Sequence, residues 1–140
     1  MSDRPDPAQL APMVKEASDE QLADALKQMG TDTVLKEIFS GMEERFLAQR
    51  ASGVNSTIQY DINTDEGTKT WWVKFADGKC STGEGPAEDP RLTLALSLPD
   101  FVKLIFGAAD GTQLFMSGKL KLQGDVMFAL QMQNFFDRNF

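Results

Sequence analysis

Apolar positions along the chain follow a helical period first, an alternating period next, and a helical period again. In SDEQLADALKQMG, Leu22, Leu26 and Met29 step by three and four residues, which places them on one helix face. Ser18 and Gln21 have the spacing of a capping box, and Gly30 is the predicted stop. A second helix is predicted from Thr31 to about Gln49, with Leu35, Ile38, Phe39, Met42 and Phe46 in one stripe. Gly41 lies inside it at a cost of about 1 kcal/mol relative to alanine, which makes it a candidate for a close backbone contact. Before these helices, residues 1–17 hold Pro5, Pro7 and Pro12 and read as an arm, with a helical turn near Leu10 to Val14.

The period then becomes two. STIQYDI alternates Ile58, Tyr60 and Ile62 with polar neighbours, and KTWWVKFADGK sets Trp71, Val73 and Phe75 against Trp72 and Lys74. Asp77-Gly78 between alternating runs is a hairpin signal. KCSTGEG and RLTLALS, the latter with Leu92, Leu94 and Leu96, complete an antiparallel sheet with one apolar face. Helical spacing returns in SLPDFVKLIFG, capped by Ser97 and ended by Gly107, with Phe101, Leu104 and Ile105 on one side. A short helix carries Leu114, Phe115 and Met116, a strand spans Lys119 to Gln123, and a last helix opens at Asp125 and runs to about Arg138. Helices segregated to one side of such a sheet make the fold class α+β.

Composition narrows the function classes. The 140 residues suit one domain, and 41 % hydrophobic with 25 % charged residues suits a globular chain in water. No apolar run approaches a bilayer span, and MSDRPDPAQL lacks the apolar stretch of a signal peptide, so a cytoplasmic location is expected. A net charge of −7 without a basic cluster argues against nucleic acid. With no histidine and one cysteine, Cys80, neither a Cys–His or Ser–His pair nor a metal box can be assembled, and no cofactor is expected.

Three stretches were candidates for chemistry. In FMSGKLKLQGDVMFAL, Gly118 and Gly124 flank alternating lysines and leucines; the segment between them is a strand by period, which no phosphate loop is. GEGPAEDP brings Glu84, Glu88 and Asp89 together without the spacing of a calcium loop. Asp61 and Asp77 are the acids available for proton transfer near Tyr60, yet alternation sets Asp61 on the opposite face. The distinctive feature is apolar bulk: ten phenylalanines and seven methionines, and a last helix apolar around most of its circumference. Such a helix is packed deep, meets a partner, or lines an apolar cavity.

The order of these motifs resembles the sterol carrier protein type 2 family, the sterol-transfer domain. The resemblance rests on Phe75 with Asp77-Gly78-Lys79, Asp89-Pro90, Leu94-Leu96-Ser97, Asp100-Phe101 and Lys103-Leu104. It continues through Phe115 to Lys121, Gly124-Asp125 and Gln133, over roughly residues 31–138, leaving residues 1–30 as an N-terminal extension to a 31–140 lipid-binding domain. It implies a five-stranded, mainly antiparallel sheet with helices on one face enclosing a hydrophobic tunnel, and non-catalytic binding of sterols, fatty acids, acyl-CoA or phospholipids. The matching lining positions are Val73, Phe75 and Leu94 on the sheet, and Phe101, Leu104, Ile105, Leu114, Phe115, Met116, Met127 and Leu130 on the helices. Gln133 matches a polar position near the tunnel. The expected partner is a lipid ligand, with transient membrane contact at most. The alternative is a filled-core interaction module that dimerises or meets an enzyme through the last helix. The ending FFDRNF departs from the peroxisomal signal of many eukaryotic members.

Overall fold

A computed structural model describes residues 14, 16, 18–106 and 108–136. Expectations for the arm before Val14, for Gly107 as a helix stop and for the last helix beyond Phe136 lie outside the described residues. Five strands form one sheet: β1 Ser56–Thr64, β2 Gly67–Ala76, β3 Lys79–Glu84, β4 Leu92–Ser97 and β5 Lys121–Gly124, in the spatial order β3-β2-β1-β4-β5. The helices are α1 Asp19–Met29, α2 Thr31–Arg45, α3 Leu98–Ile105, α4 Gly111–Met116 and α5 Val126–Met132.

Turn chemistry sets the register of the first three strands. Asp77 and Gly78 both have positive φ, 54° and 72°, the backbone of a tight two-residue hairpin that joins Ala76 to its partner Lys79. Strands β1 and β2 pair antiparallel from Ser56↔Phe75 to Thr64↔Gly67. The sheet is mainly antiparallel, as expected, with one parallel pair: β4 lies parallel to β1, with Tyr60 opposite Leu94. Alternation tells which face a side chain takes but not the direction of the neighbouring strand. The chain reaches β4 by the Gly85–Arg91 loop, where Ala87 N–H donates to Gln59 Oε1 (2.9 Å) and Arg91 N–H to the Thr57 carbonyl (2.8 Å). Gly83 precedes this loop for a packing reason, since a Cβ there would lie 2.4 Å from the Trp72 ring.

Ile58, Tyr60, Ile62, Trp71, Val73, Phe75, Leu92, Leu94 and Leu96 all point to one buried face. Helix α3 covers β1 and β4, α5 packs on β4, and α2 packs against β3, while α1 lies against α2 and α3 with Leu22 and Leu26 buried. The capping box at Ser18 and Gln21 is formed (3.2 and 3.1 Å), and Ser97 Oγ accepts from Asp100 N–H (3.2 Å).

Two helices are shorter than their patterns predict, for one shared reason. Helix α2 ends at Arg45, and α5 gives way after Met132 to a single 3-10 turn, Gln133–Phe135. Phe46 and Phe136 are both extended and pair with each other, and Leu47 N–H donates to the Phe135 carbonyl (2.6 Å). Tertiary pairing between distant segments thus overrides the helical spacing. Gly41 is a second correction: a Cβ there would meet nothing within 4 Å, so no close approach explains it.

The start of α5 is fixed by Arg91. Its Nε donates to Asp125 Oδ2 (2.9 Å), its carbonyl accepts from Asp125 N–H (2.9 Å), and its guanidinium sits 4.1 Å over the Phe128 ring. Asp125 Oδ1 caps the helix by accepting from Phe128 N–H (3.2 Å). The Arg91 hydrogen bond first, and then the Phe128 N–H, hold the Asp125 carboxyl below its usual range. A depressed carboxyl stabilises the fold above its unfolded pKa and loses that contribution as pH falls through the folded value. Asp125→Asn should therefore lower the urea midpoint at pH 7, and the gap to wild type should narrow as pH falls below the ordinary aspartate value of about 3.9. A gap that stays constant across that range would assign the effect to something other than this charge.

Candidate functional site

The inward sheet face is walled by aromatic rings at its two ends. At one end Phe39 of α2 stacks on Trp71 (centroids 4.6 Å, planes 9° apart) and on Phe101 of α3 (5.4 Å), and meets Tyr60 edge-on (5.6 Å). Tyr60 and Phe101 also meet edge-on at 5.2 Å. At the other end Phe75 is surrounded by Phe46 (5.7 Å), Phe128 (6.2 Å), Phe135 (5.4 Å) and Phe136 (5.9 Å). Trp71 and Phe75 are four residues apart on one strand, roughly 13 Å, which sets the distance between the clusters. The floor between them is aliphatic, with Ile58 paired to Val73 and Leu94 paired to Tyr60. Beyond Leu94, Leu122 of β5 continues the same face.

The structure divides the expected lining positions. Val73, Phe75 and Leu94 form the buried floor, Phe101 and Leu114 are buried beneath their helices, and Leu104 and Ile105 are half-buried against the core. Phe115 (46 % exposed), Met116 (80 %), Met127 (70 %) and Leu130 (51 %) stand at the surface, joined by Val126 (41 %). Helix α5 turns Phe128, Ala129 and Met132 inward, so an apolar stripe of Val126, Met127 and Leu130 is left outside. Gln133 lies in the closing 3-10 turn, and its side chain is outside the described residues.

Polar groups near the inward face are few. Cys80 is half-buried opposite Phe75, and burial, then the Glu43 carboxylate, push its thiol up to about 12. A thiol so raised is neutral at pH 7 and a poor nucleophile. Glu43 Oε2 accepts from Thr82 Oγ1 (2.9 Å). Burial, then Cys80, raise the Tyr60 phenol well above its usual value, so it too stays protonated. Asp61 is not brought to Tyr60; it accepts from Gln59 Nε2 and Thr70 Oγ1 (both 3.0 Å) on the opposite side of the sheet. Asp77 sits in the exposed hairpin. Glu84, Glu88 and Asp89 do not converge: among the described residues no three acidic or sulfur side chains are grouped to hold a metal ion. Also among them, no helix is long and apolar enough to cross a membrane.

Sequence spacing missed the Phe39 hub, because a phenylalanine in a helical stripe carries only the signal of core. Tyr60 was visible in the alternation of β1, where one tyrosine stands among isoleucines, but its partners on α2 and α3 come from distant segments.

Known proteins share this arrangement. Over 109 residues the chain is 33 % identical to the oleate-induced peroxisomal protein POX18 of Candida maltosa, covering 75 % of this chain and 85 % of that protein. It is 28 % identical over 100 residues to hydroxysteroid dehydrogenase-like protein 2 of Xenopus tropicalis, covering 71 % of this chain but spanning only 24 % of that longer protein. Among solved structures, the apo form of sterol carrier protein 2 from Yarrowia lipolytica superposes with a TM-score of 0.59 at 25 % identity, over 75 % of this chain and 88 % of that one. The profile of the SCP-2 sterol transfer family matches residues 35–137. With the sheet order, the one-sided helices and that match in agreement, the chain belongs to the SCP-2 sterol transfer family.

Proposed function

We propose that the chain carries apolar lipids, taking them up against the inward sheet face and releasing them past α4 and α5. Lipid binding and transfer is the function of its family. The observation that carries the reading to particular residues is the two-sided apolar character of α4 and α5: Leu114, Phe128, Ala129 and Met132 are buried, while Phe115, Met116, Val126, Met127 and Leu130 are exposed. A lipid of about 16 carbons gains roughly 12 kcal/mol on leaving water, at about 0.8 kcal/mol per methylene. Lost ligand freedom takes back several kcal/mol or more, so affinity follows length and bulk more than headgroup. The family is generally a non-catalytic carrier. We extend that to this chain because Tyr60 and Asp61 lie on opposite faces and the Cys80 thiol is protonated. We keep residues 1–30 as an extension that pads the 31–140 domain through Leu22 and Leu26, and the cytoplasm as its place of action; fluorescent tagging in cells tests the latter.

Native mass spectrometry of the purified protein, with displacement of a fluorescent fatty-acyl probe, tests the carrier. Co-purified lipid and displaceable probe are expected; a protein that ignores the probe refutes it. The exposed stripe has a separate role in this scheme, as the surface that touches the donor membrane. Replacing Met127 and Leu130 together by glutamate should leave probe affinity unchanged. Transfer between vesicles should slow about tenfold, as about 1.4 kcal/mol of lost membrane affinity predicts. Unchanged transfer would remove α5 from the exchange surface. The same five exposed apolar side chains favour a second reading, a homodimer through α5. Sedimentation decides it, because the double glutamate variant would then shift a dimer to a monomer.

A further inference from the structure

Tyr60 is the only tyrosine in the chain and is 4 % exposed, enclosed edge-on by Phe39 and Phe101. Its hydroxyl has no hydrogen-bond partner among the described residues. Yet among those residues no fully covered side-chain oxygen or nitrogen lacks a partner. The hydroxyl is therefore not sealed in hydrocarbon: it keeps some accessible surface on a residue that is otherwise buried. A buried hydroxyl that served only packing would be better replaced by phenylalanine, since an unmade hydrogen bond in such surroundings is costly.

We propose that the Tyr60 hydroxyl is an interior anchor for the neutral polar end of a lipid, a hydroxyl or an ester carbonyl. This rests on the carrier reading above and names the ligand chemistry at its inner end. The charges of the neighbouring strand select a neutral group over a carboxylate, because its cations are engaged or turned away: Lys69 pairs with Asp32 (3.6 Å), and Lys74 lies on the exposed face of β2. An ionised fatty acid would thus keep its carboxylate at the outer end, in water, and present its methyl end to Tyr60. An alcohol or sterol-like lipid can enter polar end first and satisfy the phenol.

The test measures displacement of a fluorescent fatty-acyl probe by 1-dodecanol, dodecane and dodecanoate, from wild-type protein and Tyr60→Phe. The variant should bind 1-dodecanol about five- to tenfold more weakly, the worth of one hydrogen bond in an apolar site, and the other two ligands within about twofold of wild type. Equal affinities for 1-dodecanol in the two proteins, or a parallel loss for all three ligands, would overturn the anchor while leaving the carrier intact. Failure of all three ligands to displace the probe from wild-type protein would overturn both. A readout without substitution comes from tyrosine labelled with 13C at the hydroxyl-bearing ring carbon, which gives one resonance. That resonance should move on adding 1-dodecanol and stay on adding dodecane, and the same shift with both ligands counts against the anchor.

Discussion

Replacing Phe75 by alanine is expected to cost about 3–5 kcal/mol of folding stability, the range for a large aromatic lost from a closed core. Its ring is fully buried and touches Phe46, Phe128, Phe135 and Phe136, which arrive from the residue after α2, from α5 and from the segment after α5. No single neighbour can fill the space, because each is held by its own backbone: Phe46 and Phe136 by their pairing, Phe128 by the Asp125 cap. The cost is thus the transfer term plus a cavity term, and the cavity opens on the proposed lipid floor. Urea unfolding measures it. A loss below about 1.5 kcal/mol would mean that this end of the sheet is loosely filled, whereas Met116→Ala on the surface should change stability by less than about 0.5 kcal/mol. Saturating lipid should restore part of the loss in the variant, because a ligand that binds only the folded chain stabilises it by mass action.

Much of this architecture was legible in the chain. Period-two runs around Tyr60, Val73 and Leu94 named the inward face, and Asp77-Gly78 named the first register. The direction of β4 was not legible, since Leu92, Leu94 and Leu96 alternate identically in a parallel or an antiparallel neighbour. The ends of α2 and α5 were hidden for a related reason. Phe46 and Phe136 fit a helical stripe as well as the bridge they form, and the choice is made by a contact spanning most of the chain. The site was legible as a set of apolar residues and illegible as a surface. Phe115, Met116, Met127 and Leu130 share the composition of Phe101 and Leu114, yet the first four face water, because α4 and α5 each bury one side and have nothing described over the other. An aromatic hub such as Phe39 gathers residues from three other elements, which no window of sequence contains.

Gly124→Ala is expected to cost about 2–5 kcal/mol, the sum of left-handed backbone strain and a forced backbone shift. Gly124 has φ +106°, and a Cβ there would lie 2.5 Å from the Arg91 carbonyl oxygen and 3.3 Å from the Leu92 Cα. Both obstacles are backbone, at the start of β4 and at the residue before it, and cannot rotate aside. Relief requires β5 to lift from β4, since Gly124 is the partner of Leu92 in that pairing. The same carbonyl accepts from Asp125 N–H, so lifting the strand also strains the hydrogen bond that seats α5 and draws Asp125 from Arg91. Gly118 supplies the control: φ is +79° but the space around its Cβ is open, so Gly118→Ala should show backbone strain alone, about 1–2 kcal/mol. Urea midpoints of the two variants separate the effects, and equal losses would show that the contact with Arg91 carries nothing. If α5 bounds the lipid site, the Gly124 variant should also release a bound fatty-acyl probe faster than the Gly118 variant under conditions where both remain folded. Release at one rate from both would place the exit away from α5, and the close approach at Gly124 would then matter to the fold alone.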